Sequence, residues 1–138
     1  MDSAPKTDKV KKFIWYHLPV ILYAGVVITV SSISNLSKPE IRFLAFDKIA
    51  HFFEYAIFAV LAYRSISTLP FIRNADRAFY ITTLFLILFA TFDEYFVQSL
   101  SRRTSSIYDL AADLVGAMLV LILLRIFHKN PPKPDIPE

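Results

Sequence analysis

The sequence predicts an all-α protein, a four-helix transmembrane bundle with both termini cytoplasmic, and three observations lead there. Hydrophobic residues make up 55% of the 138-residue chain and the mean hydropathy is +0.46, against roughly 45–50% apolar residues in an ordinary soluble domain. Four apolar blocks, each of about 20 residues and so long enough to cross a bilayer, are separated by short polar stretches. The 15 Lys and Arg residues are dispersed between those blocks, as span-end charges are, and do not form the basic stripe of a nucleic-acid-binding domain. A soluble enzyme is therefore disfavoured, and no nucleic-acid partner is expected. The absence of cysteine removes disulfide frameworks, zinc knuckles and thiol nucleophiles, and 2 glycines leave no phosphate-cradling loop.

Span one follows from the 25 residues between Lys12 and Lys38 that carry no acidic or cationic side chain at neutral pH, and is placed over roughly 13–33. A cleaved secretory signal competes with it, because Lys9, Lys11 and Lys12 precede the run and Ser31, Ser32 and Ser34 are small. A signal core usually has only about 7–15 apolar residues, which favours a retained helix. Span two, 48–69, contains His51, Glu54 and Arg64 and ends at Pro70. Span three, 78–100, is uncharged through Phe92 and continues past Asp93 and Glu94. Span four, 107–127, has Asp109 and Asp113 in its first two turns. The expected organisation is a polar arm over 1–12, a four-helix membrane domain over 13–128 and a proline-rich tail over 129–138. Ten Lys and Arg lie near the span ends on the side of the termini and five on the other, which puts both termini in the cytoplasm, the expected location being a bacterial inner (plasma) membrane.

The ionisable residues inside the spans locate a site. If span three begins near Phe79, Asp93 lies 14 residues on, about 21 Å along the helix and about 9 Å short of the far boundary. Glu54 lies six residues inside Lys48, and Asp113 six inside Ile107, each again about 9 Å deep. Three helices thus bring a carboxylate to one level. Asp47, His51, Glu54, Tyr55 and Phe58 follow helical i, i+3, i+4 spacing, as do Asp109, Asp113 and Gly116, while Thr91, Glu94 and Gln98 form a stripe on span three with Asp93 about 100° away. A carboxylate at mid-bilayer costs about 2.5–3.5 kcal/mol on insertion scales, so these faces should point into the bundle. Six acids, Asp47, Glu54, Asp93, Glu94, Asp109 and Asp113, face Lys48, Arg102, Arg103 and His51. At least one of the two arginines is expected to fold down and bridge two acids bidentately. Gly116 and Ala117 would let a neighbouring helix approach closely.

These residues resemble the VanZ-like family of small integral membrane proteins, named after a glycopeptide-resistance determinant active against teicoplanin. The resemblance covers roughly 45–125. It rests on Asp47-Lys48-x-x-His51-x-x-x-Tyr55, on Asp93-Glu94 followed by Arg103, and on Ser105 or Ser106 before Asp109-x-x-x-Asp113-x-x-Gly116. Phe96 and Val97 occupy places where the family usually has His and Gln, with Gln98 one position later, and Ser101-Arg102 stands for the usual Pro-Gly. The resemblance implies the four-helix fold and the site location.

A metal reading of His51, Glu54 and the carboxylates is weighed against a hydrogen-bonded lock between helices, and the lock is favoured, with no cofactor or metal expected. Ser105 and Ser106 lie on no nucleophile-elbow pattern, so catalysis is disfavoured. A proton pathway would need polar residues in the other half of the bundle, where His17, Tyr23, Thr82 and Thr83 are the main ones. His17, Trp15 and Tyr16 read as an interfacial belt, and Arg64 as snorkelling to the surface. The expected role is recognition or modulation of an amphipathic envelope ligand, a lipid or lipoglycopeptide, at the outer leaflet, and glycopeptide resistance is what the family name implies. The expected ligand-binding residues are Asp47, His51, Glu54, Tyr55, Asp93, Glu94, Gln98, Arg102, Arg103, Asp109 and Asp113. The alternative is a small structural subunit of a larger membrane complex.

Overall fold

The computed structural model describes residues 6–33, 41–100 and 106–127, with side chains from Asp8 and from Lys48 in the first two stretches. Four long helices fill them. Helix α1 comprises Lys6–Lys12, a wide π-helical turn Phe13–His17 and Leu18–Ser31. Helix α2 is Ile41–Ser67, α3 is Ala75–Phe92 continued by a π-helical turn Asp93–Val97 and by Gln98–Leu100, and α4 is Ile107–Phe127. All four are long and apolar enough to cross a membrane.

The spans sit where the apolar blocks are, and the differences lie at two ends. Helix α1 begins at Lys6, inside the stretch expected as a polar arm, because nothing in Lys6–Lys12 is a helix breaker and the span propagates into it. Helix α2 begins at Ile41 and not near Lys48, because nothing in Ile41–Asp47 is a helix breaker. Helix α3 starts where Asn74 caps it, its side-chain oxygen accepting the Arg77 backbone N–H at 2.9 Å.

The packing is inside out relative to a soluble bundle. Its apolar core is built of small residues around a few large rings, with Ala59, Ala62, Ala78, Ala90 and Ala117 buried beside Phe58, Leu86 and Leu121. Small residues let helices approach closely where lipid offers no hydrophobic drive for association. The Phe58 ring meets Phe89 edge-on at 4.8 Å between centroids and Tyr23, Tyr55 and Phe85 at 5.8 Å. Large apolar side chains such as Leu84, Leu88, Val115 and Phe127 point outward, whereas Asp93, Glu94, Gln98 and Asp113 are buried to 1% exposure or less. An apolar exterior over a polar interior is stable only in lipid, and the chain is a membrane protein.

Helices α2, α3 and α4 form a tight trio, with the α2–α4 contact the most extensive. Gly116 makes that contact possible. A Cβ there would collide with the Phe52 backbone carbonyl, whereas one at Gly25 would meet nothing within 4 Å. Helix α1 lies against the trio through one stripe, Tyr23, Val27 and Ser31, and hydrogen bonds among the described residues hold it. His17 Nδ1 lies 2.7 Å from Ser65 Oγ, the Tyr23 hydroxyl donates to the Glu54 carbonyl at 3.1 Å, and Ser31 Oγ donates to Asp93 Oδ2 at 2.7 Å. His17 is thus a helix-to-helix contact, and Arg64, which is exposed, lies over the Tyr16 ring at 5.0 Å.

Gly116→Ala forces α2 from α4 and is expected to lower stability by about 1–3 kcal/mol, the usual cost of overpacking. Gly25→Ala should leave the melting temperature in detergent unchanged or slightly raised. Equal melting of the two variants would contradict the close packing.

Candidate functional site

The three carboxylate-bearing helices converge. Asp93 and Glu94 on α3, Asp109 and Asp113 on α4, and His51 and Tyr55 on α2 are buried, and Glu54 is half-buried. Their contacts are cross-helix. Lys48 Nζ donates to Asp109 Oδ1, and His51 Nδ1 lies 3.0 Å from Asp113 Oδ1. Glu94 is held from two directions: the Gln98 amide donates to Oε2, and the Ser106 backbone N–H donates to Oε1. That second bond pins the segment leading into α4 to the side of α3. In a low-dielectric interior such charge-assisted bonds are stronger than in water, and leaving one unmade is correspondingly costly.

The π-helical turn explains how one helix delivers two adjacent acids. Neighbouring residues on an ideal α-helix diverge by about 100°, so Asp93 and Glu94 would not share an inward face. Over Asp93–Val97 the helix widens, the Gln98 N–H bonding to the Asp93 carbonyl five residues back. Asp93, Glu94, Val97 and Gln98 are then all buried, as expected of the single wide turns often found at functional sites. The extra residue also leaves Thr91 outside the stripe expected with Glu94 and Gln98. Thr91 is exposed and donates to the Ile87 carbonyl at 2.8 Å.

The Tyr55 hydroxyl and Asp113 Oδ2 are buried and have no hydrogen-bond partner among the described residues, where buried polar groups are ordinarily satisfied. Beside the cluster, a groove of about 440 Å³ runs between α1 and α3, lined by Ile28, Ser32, Phe92, Phe96, Val97 and Leu100. The Phe92 and Phe96 rings stack along it at 5.0 Å, and the Ser31–Asp93 hydrogen bond lies next to it in sequence on both helices. Among the described residues no three His, Asp or Glu side chains form a group that could hold a metal ion.

Of the expected site residues, His51, Glu54, Tyr55, Asp93, Glu94, Gln98, Asp109 and Asp113 are placed at this end of the trio. The Asp47 side chain, Arg102 and Arg103, with the expected arginine bridge, lie outside the described residues. Two participants were not read from sequence. Ser31 could have been found from its place with Tyr23 and Val27 on the one stripe of α1 that meets the bundle. The Ser106 backbone N–H has no sequence signal.

A family model described as VanZ/LLP1 matches residues 6–128. An uncharacterised protein of Schizosaccharomyces pombe is 33% identical over 85 residues, covering 61% of this chain. The match takes in 49% of that relative, so the chain spans about half its length. No solved structure matches.

Glu94→Gln replaces an acceptor-only group by an amide that must set a donor against Gln98 or Ser106, and is expected to lower stability by about 1–3 kcal/mol. Asp76→Asn, which breaks the exposed ion pair with Arg125 (2.7 Å), should cost about 1 kcal/mol or less. Thermal melting in detergent separates the two, and equal losses would contradict the burial of the cluster.

Proposed function

The chain belongs to the VanZ/LLP1 family, and on that premise we propose that it binds or modulates an amphipathic envelope ligand, taking the polar head into the cluster between α2, α3 and α4 and the apolar chain into the α1–α3 groove. The observation that carries this reading is that two buried atoms of the cluster, one on α2 and one on α4, have no hydrogen-bond partner among the described residues. The Tyr55 hydroxyl offers a donor and Asp113 Oδ2 an acceptor inside a cluster whose other carboxylates are engaged. A head group rich in hydroxyl or amine groups would satisfy both, and the adjoining groove supplies a hydrophobic surface continuous with the lipid phase. Five carboxylates against Lys48 and His51 among the described residues favour a donor-rich head over an acceptor-rich one.

In its finer form the reading places the protein in a bacterial plasma membrane, both termini cytoplasmic, with this cluster toward the outer leaflet. The ligand is then an envelope lipid or a lipoglycopeptide such as teicoplanin. The Lys and Arg asymmetry supports the orientation. Cysteines placed at Ser32 and at Arg73 in the naturally cysteine-free chain should react with a membrane-impermeant thiol reagent in intact cells only at Ser32.

Tyr55→Phe tests the site. Removing an orphaned buried hydroxyl should leave yield and melting temperature unchanged or raised, while retention of co-purifying lipid in mild detergent, read by mass spectrometry, falls about tenfold, the equivalent of one lost hydrogen bond. Wild type and Tyr55→Phe retaining the same lipids in the same amounts would contradict the proposal. A fall in melting temperature with no change in lipid would support a purely structural lock.

A further inference from the structure

The opposite end of the bundle carries charge of the other sign. Asp8, Lys9, Lys11 and Lys12 of α1, Arg64 of α2, Arg73 before α3, Asp76 and Arg77 of α3 and Arg125 of α4 give seven cationic side chains and two carboxylates. Contacts assign these residues to one end: Arg64 stacks on Tyr16, Ser65 meets His17, and Arg125 pairs with Asp76. Within this end lies a groove of about 620 Å³ between the start of α3 and the end of α4, lined by Asn74, Ala75, Asp76, Ile122, Arg125 and Ile126. Its lining is half aliphatic and half polar.

Arg125 is the cation of that lining. Its Nη2 donates to Asp76 Oδ1 at 2.7 Å, and its guanidinium lies 5.1 Å from the Phe79 ring centroid and 5.9 Å from that of Tyr80. The Asp76 bond uses one of five N–H donors of the group. The side chain remains 43% exposed. Arg73 and Arg77 are exposed on either side of Asn74 and Asp76. A guanidinium held by Asp76 in a groove it shares with Ile122 and Ile126, with exposed Arg73 and Arg77 nearby, is complementary to a phosphodiester carrying an acyl chain. Basic pockets between membrane helices bind anionic head groups in this way.

We propose that the groove between α3 and α4 binds an anionic phospholipid, its phosphate on Arg125 and an acyl chain along Ile122 and Ile126. This site is at the far end from the acidic cluster and takes a ligand of opposite charge. The two proposals therefore stand or fall separately.

The full chain, purified and delipidated in mild detergent, is reconstituted into phosphatidylcholine bilayers with or without a fixed fraction of phosphatidylglycerol or phosphatidylethanolamine. Bound lipid is read by native mass spectrometry and stability by melting. Phosphatidylglycerol should be retained and raise the melting temperature, and the other two should not. Arg125→Gln should weaken phosphatidylglycerol retention about fivefold, the usual worth of one basic side chain near a lipid surface. Ile122→Trp, at a partly exposed position, should weaken it comparably by filling the slot with every charge kept, while Lys48→Gln at the other end should not. High salt should weaken binding. Equal retention of all three lipids, or phosphatidylglycerol retention unchanged in both Arg125→Gln and Ile122→Trp, overturns the proposal. Loss in Arg125→Gln alone overturns the groove as the site, leaving only a diffuse surface attraction.

Discussion

Everything at the acidic end depends on one constraint: a carboxylate that leaves water for the interior of a membrane bundle must be met by a donor. Four carboxylates buried to 7% exposure or less come from two helices, and most of their donors come from other elements. Asp93 takes the Ser31 hydroxyl of α1, Asp109 the ammonium of Lys48 on α2, and Glu94 the amide of Gln98 and the backbone N–H of Ser106. Asp113 faces the His51 ring of α2. Lipid gives helices no hydrophobic reason to prefer one arrangement, whereas this pairing specifies which faces must meet. The apolar half of the bundle follows, with Gly116 removing the one Cβ that would hold α2 and α4 apart.

The same constraint made much of the fold legible in the sequence. Block lengths gave the four spans because bilayer thickness sets a length scale, and α4 ends at Phe127 as read. Equal depth of Glu54, Asp93 and Asp113 predicted the cluster, since helical rise is nearly invariant. What sequence spacing missed is what departs from the ideal helix. The wide turn at Asp93–Val97 turns Thr91 outward and brings Asp93 in beside Glu94, and no residue type marks such a turn. The family usually places Gln three residues after Glu, and here it comes four after. The wider turn accommodates that spacing, and Gln98 still bonds Glu94. Ser31 was hidden because a lone serine in an apolar helix is ordinary, and only the α1 packing stripe gives it meaning.

Among the described residues the two ends of the bundle differ in charge, acids buried at one and bases exposed at the other. The acids are inside because donors of α1, α2, α3 and the segment entering α4 meet them, and the bases are outside because a guanidinium or ammonium reaches water or a head group on a long stem. The acidic end suits recognition by buried hydrogen bonds, which discriminates finely between ligands. The basic end suits attraction to a charged surface, which discriminates little. Helix α1, tied to the others through His17, Tyr23 and Ser31, borders the groove beside the acidic end.

The most direct test of cross-helix pairing as the organising interaction is a double-mutant cycle on His51 and Asp113, measured as unfolding free energy in detergent with His51→Leu, Asp113→Leu and the double variant. Paired burial predicts that each single change strands a polar partner and that the double change recovers stability, with a coupling of about 1–3 kcal/mol. Additive losses, with the double variant the least stable of the three, would show that these groups do not hold α2 to α4.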